Sequence, residues 1–214
     1  MKTNVNTWLQ KLFIISAGFI FTPIFSQIDF SSTRFGLTAG PTYSRVQKAR
    51  NPSSARVSFY GGFLALVPIG GDDMFYLQPE IEYLGAGENG QNSAVYASNY
   101  ISVPIYFKTY FSEAESEFFG ILGPRFGFAI NQTIKNPSKA IYAADQYGKT
   151  AAFDFALSGG LGFSFKRKLE IFTRFDYGIT DNLPDLKGKE PFDASSFKTK
   201  KQHVLSAGIS YIFD

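Results

Sequence analysis

Few residues in this sequence could do covalent chemistry. Its 214 residues include one histidine, His203, and no cysteine. Lipid hydrolysis, acyl transfer and proteolysis usually rely on a histidine base beside a serine or an aspartate. His203 is the sole candidate base, with loop serines such as Ser93 and Ser195 as candidate nucleophiles. Alternation places His203 on the same face as Leu205 and Ala207, near one end of a strand, which reads as an interfacial ring rather than a base. The lack of cysteine excludes disulfides and thiolate metal sites. No metal-ligand cluster or phosphate-binding glycine loop is evident, because "GGLG" (Gly159 to Gly162) falls within a strand pattern, where small side chains relieve crowding. The sequence therefore predicts no catalytic residue, no cofactor and no metal.

A second constellation is ionic. Glu80, Glu82, Lys108, Arg125, Arg174 and Asp176 each interrupt a stretch that is otherwise apolar or aromatic on alternate residues. If these stretches are strands of a narrow barrel, a rise of about 3.3 Å per residue puts all six within about one layer of mid-barrel on the inner face. Three are acidic and three basic, so the expectation is a neutral network that plugs the lumen, because an isolated charge there would be costly. The alternative is a proton or ion path along the same groups.

Strands are what the chain supplies to hold them. Lys2 and Lys11 precede the apolar run "LFIISAGFIF" (Leu12 to Phe21), which fades through Thr22 and Pro23 to Ser26. That is the outline of a secretory signal over residues 1–26 rather than a membrane span, which needs roughly 20 apolar residues. A short lead, 27–32, precedes one domain, 33–214. Period-2 alternation recurs at about 33–46, 57–67, 75–86, 99–111, 118–130, 151–165, 169–180 and 201–213, and no helical periodicity follows the signal. Short gaps (68–74, 112–117, 166–168) take turns with long ones (47–56, 87–98, 131–150, 181–200), the asymmetry of an outer-membrane barrel with short periplasmic turns and longer external loops.

Volume decides which face points out. In the segment from Phe153 to Phe165, one face carries Phe153, Phe155, Leu157, Leu161, Phe163 and Phe165, and the other Asp154, Ala156, Ser158, Gly160, Gly162 and Ser164. Eight strands leave an interior just wide enough for side chains, so the small face belongs inside and the phenylalanines face lipid. A soluble lipocalin-like barrel, the alternative, would bury the large face instead. The fold expected is thus all-β, an eight-stranded antiparallel up-and-down transmembrane β-barrel preceded by a cleavable signal peptide.

The final stretch, "LSAGISYIFD", resembles the terminal signal that bacterial outer-membrane barrels present to their insertion machinery: polar, any residue, Gly, two residues, aromatic or apolar, any residue, aromatic. Ser206, Gly208, Tyr211 and Phe213 fall on it, with Asp214 trailing. Four further stretches, "RFGLTAGPTYS" (Arg34 to Ser44), "YLQPEIEYLGAG" (Tyr76 to Gly87), "YISVPIYFKTYF" (Tyr100 to Phe111) and "GILGPRFGF" (Gly120 to Phe128), resemble the PorT-type outer-membrane β-barrel family of Bacteroidota. The resemblance implies an eight-stranded barrel in a Gram-negative outer membrane, in a family named after a member required for type IX secretion.

Three function classes follow. An enzyme lacks a triad, a pore is opposed by the narrow bore, and an envelope scaffold that binds a partner protein through its external loops fits what is left. Outer-membrane lipid and the insertion machinery are further partners. The net charge of +3 is small and of mixed sign, giving no argument for nucleic acid. The basic clusters "KRK" (Lys166 to Lys168) and "KTKK" (Lys198 to Lys201) read as solvated loop charge, with a phosphate or lipid-headgroup site as the alternative. The mature chain is expected in the outer-membrane fraction, migrating anomalously on a semi-native gel unless heated. Recovery from the soluble periplasm would favour the lipocalin-like barrel.

Overall fold

The last strand pairs with the first. In a computed structural model that describes residues 30–50, 53–70, 73–136, 149–186 and 199–213, eight antiparallel strands form a closed barrel in sequence order. They are β1 (Arg34–Val46), β2 (Ser54–Pro68), β3 (Phe75–Asn89), β4 (Val95–Tyr110), β5 (Glu117–Lys135), β6 (Phe153–Phe165), β7 (Leu169–Gly178) and β8 (Gln202–Ile212). The signal expected at 1–26 lies outside the described residues, as does Asp214. The closing seam runs from Gly36 opposite Ile212 to Val46 opposite Gln202. Backbone bonds from Phe213 to Phe35 (2.7 Å) and from Gln47 to Lys201 (2.8 Å) prolong it beyond both ends. Among the described residues no helix is long and apolar enough to cross a membrane.

The outward residues are those that hydrocarbon selects. Phe63 and Phe118, 64% and 63% exposed, stand among many large apolar side chains on the outer wall. Aromatic pairs such as Phe118–Phe163 and Tyr211–Phe213 gather near the rim with the short turns, and Phe126–Phe155 and Phe128–Phe153 nearer the other, as in the girdles of membrane barrels. The soluble alternative is thereby displaced, since its large apolar face would be inside.

Inside, size is distributed unevenly. Strands β2 to β5 contribute Tyr60, Tyr76, Tyr100, Tyr106, Tyr110, Phe119 and Arg125, all buried. Strands β6, β8 and β1 contribute mainly Ser158, Gly160, Gly162, Ser206, Gly208, Ser210, Gly36 and Gly40 on the inner face. Long side chains from β2 to β5, and from β7, thus fill a bore whose remaining wall is small. Gly208 shows the fit: a Cβ there would lie 1.9 Å from the Tyr60 hydroxyl and 2.6 Å from Phe172 Cζ.

The turns explain the register. Lys166 and Arg167 take φ of 51° and 52°, and the Lys168 amide donates to the Phe165 carbonyl at 3.0 Å, a tight turn with two left-handed residues inside the three-residue connection between the paired Phe165 and Leu169. At the opposite rim the structure departs from the sequence reading. The segment 87–98, expected as a long loop, is mostly strand: β3 runs to Asn89, β4 starts at Val95, and a 3₁₀ turn, Gln91–Ser93, joins them. β5 likewise climbs to Lys135, so strand length ranges from ten residues in β7 to nineteen in β5. Above the membrane neither face must be apolar, so polar residues such as Ser98, Asn99 and Asn131 form ladder without the alternation that marks a span. The Asn99 amide donates to Asn131 Oδ1 at 2.7 Å across the two strands.

The seam gives a paired test. A Cβ on Gly40 would sit 1.9 Å from the Ala207 carbonyl oxygen, whereas one on Gly61, facing out, meets nothing closer than 3.6 Å. Gly40→Val should cost about 3 kcal/mol and lower the temperature at which the folded gel band disappears. Gly61→Ala should leave that temperature unchanged or raise it slightly.

Candidate functional site

The lumen gathers every ionic residue singled out above, but not as one neutral set. Glu80, Glu82, Lys108, Arg125, Arg174 and Asp176 are all buried. They divide into three clusters stacked along the barrel axis, and two of these depend on carboxylates that the sequence reading missed.

In the central cluster, Arg174 of β7 reaches across the bore to β3. Its Nη2 donates to Glu82 Oε1 at 2.6 Å and its Nη1 to Glu80 Oε2 at 3.1 Å. The guanidinium lies 4.4 Å from the Tyr60 ring centroid, a cation–π contact that holds it away from the wall. Gln78 Nε2 donates to the other oxygen of Glu80 at 2.6 Å. Arginine suits this position because its planar fork serves two carboxylates at once.

Toward the external rim, Arg125 of β5 is shared by neighbouring strands. Its Nη2 meets Asp154 Oδ2 at 2.5 Å and its Nε faces Asp176 Oδ2 at 3.1 Å. A loop residue completes this layer: Asn182 Nδ2 donates to the Tyr100 hydroxyl at 2.8 Å and approaches Asp154 Oδ1 at 3.4 Å. Toward the periplasm, Lys108 of β4 pairs with both oxygens of Glu170 on β7 at 2.6 Å, and the Tyr110 hydroxyl donates to the same carboxylate at 2.7 Å. Lys108 therefore pairs with none of the three acids first grouped with it.

The expectation of charge neutrality needs correction. The three clusters hold three bases (Lys108, Arg125, Arg174) and five acids (Glu80, Glu82, Asp154, Glu170, Asp176), formally two more acids than bases. Asp154 and Glu170 sit near strand ends, outside the mid-barrel layer used for counting. Lysine and arginine side chains are long enough to cross more than one layer, which brings these acids in.

Each end is closed as well. At the periplasmic rim Arg167 pairs with Glu117 at 2.6 Å, and Arg34 Nη1 donates to the Arg167 carbonyl at 3.2 Å. At the external rim Arg50 pairs with Glu88 at 2.5 Å and lies 3.6 Å from the Tyr96 ring centroid. Val46, Ala49, Ala94, Tyr96, Leu183 and Leu186 pack there into a small apolar core that folds loop residues over the mouth.

The remaining candidates are placed apart from this stack. His203 faces outward, its ring centroid 4.7 Å from that of Tyr177 and 5.8 Å from that of Phe175, and its Nδ1 accepts the Gly178 amide at 3.3 Å. Ser93 lies on the β3–β4 turn, where its carbonyl accepts from Asn136, and Ser195 is outside the described residues. No serine hydroxyl is hydrogen-bonded to His203 among the described residues. Among the same residues no group of three or more His, Cys, Asp or Glu is arranged to hold a metal ion. Of the terminal pattern, Ser206 and Gly208 point into the lumen while Tyr211 and Phe213 point out, 50% and 42% exposed.

A lipid-facing aromatic wall, a closed eight-stranded ring and a lumen filled by its own ion pairs define a small outer-membrane β-barrel. The sequence pattern of the outer membrane protein beta-barrel domain family matches residues 25–183, and the chain belongs to that family and to the outer membrane. Among curated protein sequences, none matches. Among solved structures the chain is similar to Ail, the attachment invasion locus protein of Yersinia pestis, with 14% identity and a TM-score of 0.45 over 84% of this chain and 98% of that one. It is also similar to the outer membrane protein OprG from Pseudomonas aeruginosa, with 12% identity and a TM-score of 0.43 over 84% of this chain and 95% of that one.

The clusters respond unequally to neutralisation. Arg125→Met strands two buried carboxylates and should cost about 3–5 kcal/mol. Glu80→Gln keeps an acceptor for Arg174 and removes one of the surplus acids, so it should cost under about 1 kcal/mol. Urea unfolding in detergent, followed by gel mobility, checks both. Equal destabilisation by the two would show that charge balance does not govern the plug.

Proposed function

We propose that this protein is a non-enzymatic outer-membrane scaffold, a plugged barrel whose external rim binds a protein partner of the envelope. The observation that carries this reading is the stacked lumen: Lys108–Glu170, Arg174–Glu80–Glu82, Arg125–Asp154–Asp176 and Arg50–Glu88 occupy successive heights of a narrow bore. Such filling suits a rigid body rather than a conduit. The outward, aromatic-packed setting of His203 supports a non-catalytic role for it. The tall β3–β5 wall and the loops beside it supply surface that spanning the membrane does not require.

The resemblance to PorT-type barrels supports a finer reading, an accessory of a secretion or gliding system in a bacterium of the Bacteroidota. Lipid surrounds the barrel. The insertion machinery is its partner during biogenesis, with Ser206, Gly208, Tyr211 and Phe213 as the segment presented, and the removal of residues 1–26 belongs to the same export route.

Site-specific photo-crosslinking in cells tests the scaffold. A crosslinker at Lys135 on the external end of β5 should capture one discrete envelope protein, while one at Glu113 in a periplasmic turn should not capture it. The purified barrel should show near-zero conductance in a planar bilayer. Steady, charge-selective conductance would replace the scaffold with a pore.

A further inference from the structure

On the outer wall, the external end of the β7–β8–β1 seam is cationic where the wall directly beneath it is apolar. Arg45 of β1 and His203 of β8 are direct cross-strand partners, and His203 is in turn the partner of Tyr177 on β7. Three adjacent strands therefore present Arg45, His203 and Tyr177 side by side. Lys201, just ahead of β8, brings its Nζ to 5.2 Å from the Tyr177 ring centroid. A groove of about 470 Å³ opens here, lined by Tyr43, Arg45, Ser53, Phe175, His203 and Leu205 among others.

Its chemistry is graded along the membrane normal. On the membrane side, Tyr43, Phe175 and Leu205 are large, apolar and about half exposed. On the aqueous side are the guanidinium of Arg45 and the hydroxyl of Ser53, to which Arg45 Nε donates at 3.2 Å, while the ammonium of Lys201 lies beside the groove over Tyr177 rather than in its lining. Among the described residues no carboxylate lines the groove. Among the described residues neither Arg45 nor Lys201 has a carboxylate within ion-pair distance, whereas Lys108, Arg125 and Arg174 in the lumen are all paired. An outward arginine is unfavourable toward hydrocarbon and tolerated near the interface, where an anionic headgroup can meet it.

We propose that this groove holds the phosphorylated headgroup of an outer-leaflet lipid. The Arg45 fork and the Lys201 point charge receive the phosphate, and the acyl chains descend over Leu205, Phe175 and Tyr43. His203 acts as a floor: fixed by the Gly178 amide, stacked on Phe175 and in tilted contact with Tyr177, it sets the spacing between the cations and the apolar surface beneath them. The site is independent of the partner-binding reading, because it lies on the lipid-facing wall.

The probe is lipid A carrying two phosphates, offered to the purified full-length barrel in detergent micelles and counted by native mass spectrometry. The same lipid stripped of its phosphates serves as control, and inorganic phosphate serves as competitor. The wild-type barrel should retain one phosphorylated lipid, and excess inorganic phosphate should leave it bound. A barrel carrying Arg45→Gln and Lys201→Gln should bind it about 30-fold more weakly, each cation near the surface contributing a factor of about five to six. The dephosphorylated lipid should bind the wild type about as weakly. Both substituted side chains lie outside the lumen, so the heat-dependent gel shift should be unchanged. Should the double variant fold poorly, Lys201→Gln alone, outside the strands, should still weaken binding about fivefold. Equal retention of the two lipids, or undiminished binding by the variants, would overturn the site, leaving acyl contact alone. Displacement by inorganic phosphate would overturn it in favour of a small-anion site.

Discussion

Hydrocarbon offers no hydrogen bond to a peptide group, and this constraint governs the rest of the molecule. Each strand must be paired on both sides, so β8 must return to β1, and the ring then fixes which alternate residues face lipid and which face inward. Eight strands make a bore that side chains fill. The interior becomes a dry core of polar composition, the inverse of a soluble domain. Its charges have no bulk water to turn to, which is why Arg174, Arg125 and Lys108 each sit against two carboxylate oxygens. Such pairs are weak evidence for stability, since desolvation offsets much of their attraction, but removing one partner is costly. They act as registers: Lys108 joins β4 to β7, Arg174 joins β7 to β3, and Arg125 of β5 reaches past its neighbour β6 to Asp176 on β7, so each links strands that are not hydrogen-bonded neighbours.

That cross-bracing depends on unequal walls. Arg174 can cross the bore because the half-ring made by β6, β8 and β1 presents serine and glycine, and Tyr60 can lie beneath it because Gly208 presents no side chain. Gly208 also falls on the terminal pattern associated with insertion. One residue thus answers two demands, and the packing demand alone is enough to require glycine there. The outward Tyr211 and Phe213 have no comparable role inside the barrel.

The periodic part of this structure was legible in the sequence because lipid enforces it. Where one face must be apolar, alternation is strict, and the eight strands and the small inward face of β6 could be read from it. Legibility ended in two places. Across the lumen, pairing depends on strand tilt and side-chain reach, which no local pattern encodes. Asp154 and Glu170 were therefore missed, and Lys108 was grouped with acids it does not meet. Beyond the membrane, alternation lapses, so the upper parts of β3, β4 and β5 read as loop. Gly87, at φ 127°, and the Asn92 turn, at φ 53°, are ordinary loop signals that here serve a hairpin.

Lipid dictates the outer wall and the bore dictates the lumen, leaving little freedom at either for an individual function. The rims are released from both demands. There the chain places residues that membrane spanning does not need: the extra length of β5 over β7, the apolar cap of Tyr96, Leu183 and Leu186, and the cations of Arg45 and Lys201 on the outer face. A barrel of another function could share the wall and the plug without sharing these. Specificity should therefore be sought in the external rim, where a tall polar wall stands on the β3–β5 side and a cationic, aromatic face on the β7–β1 side.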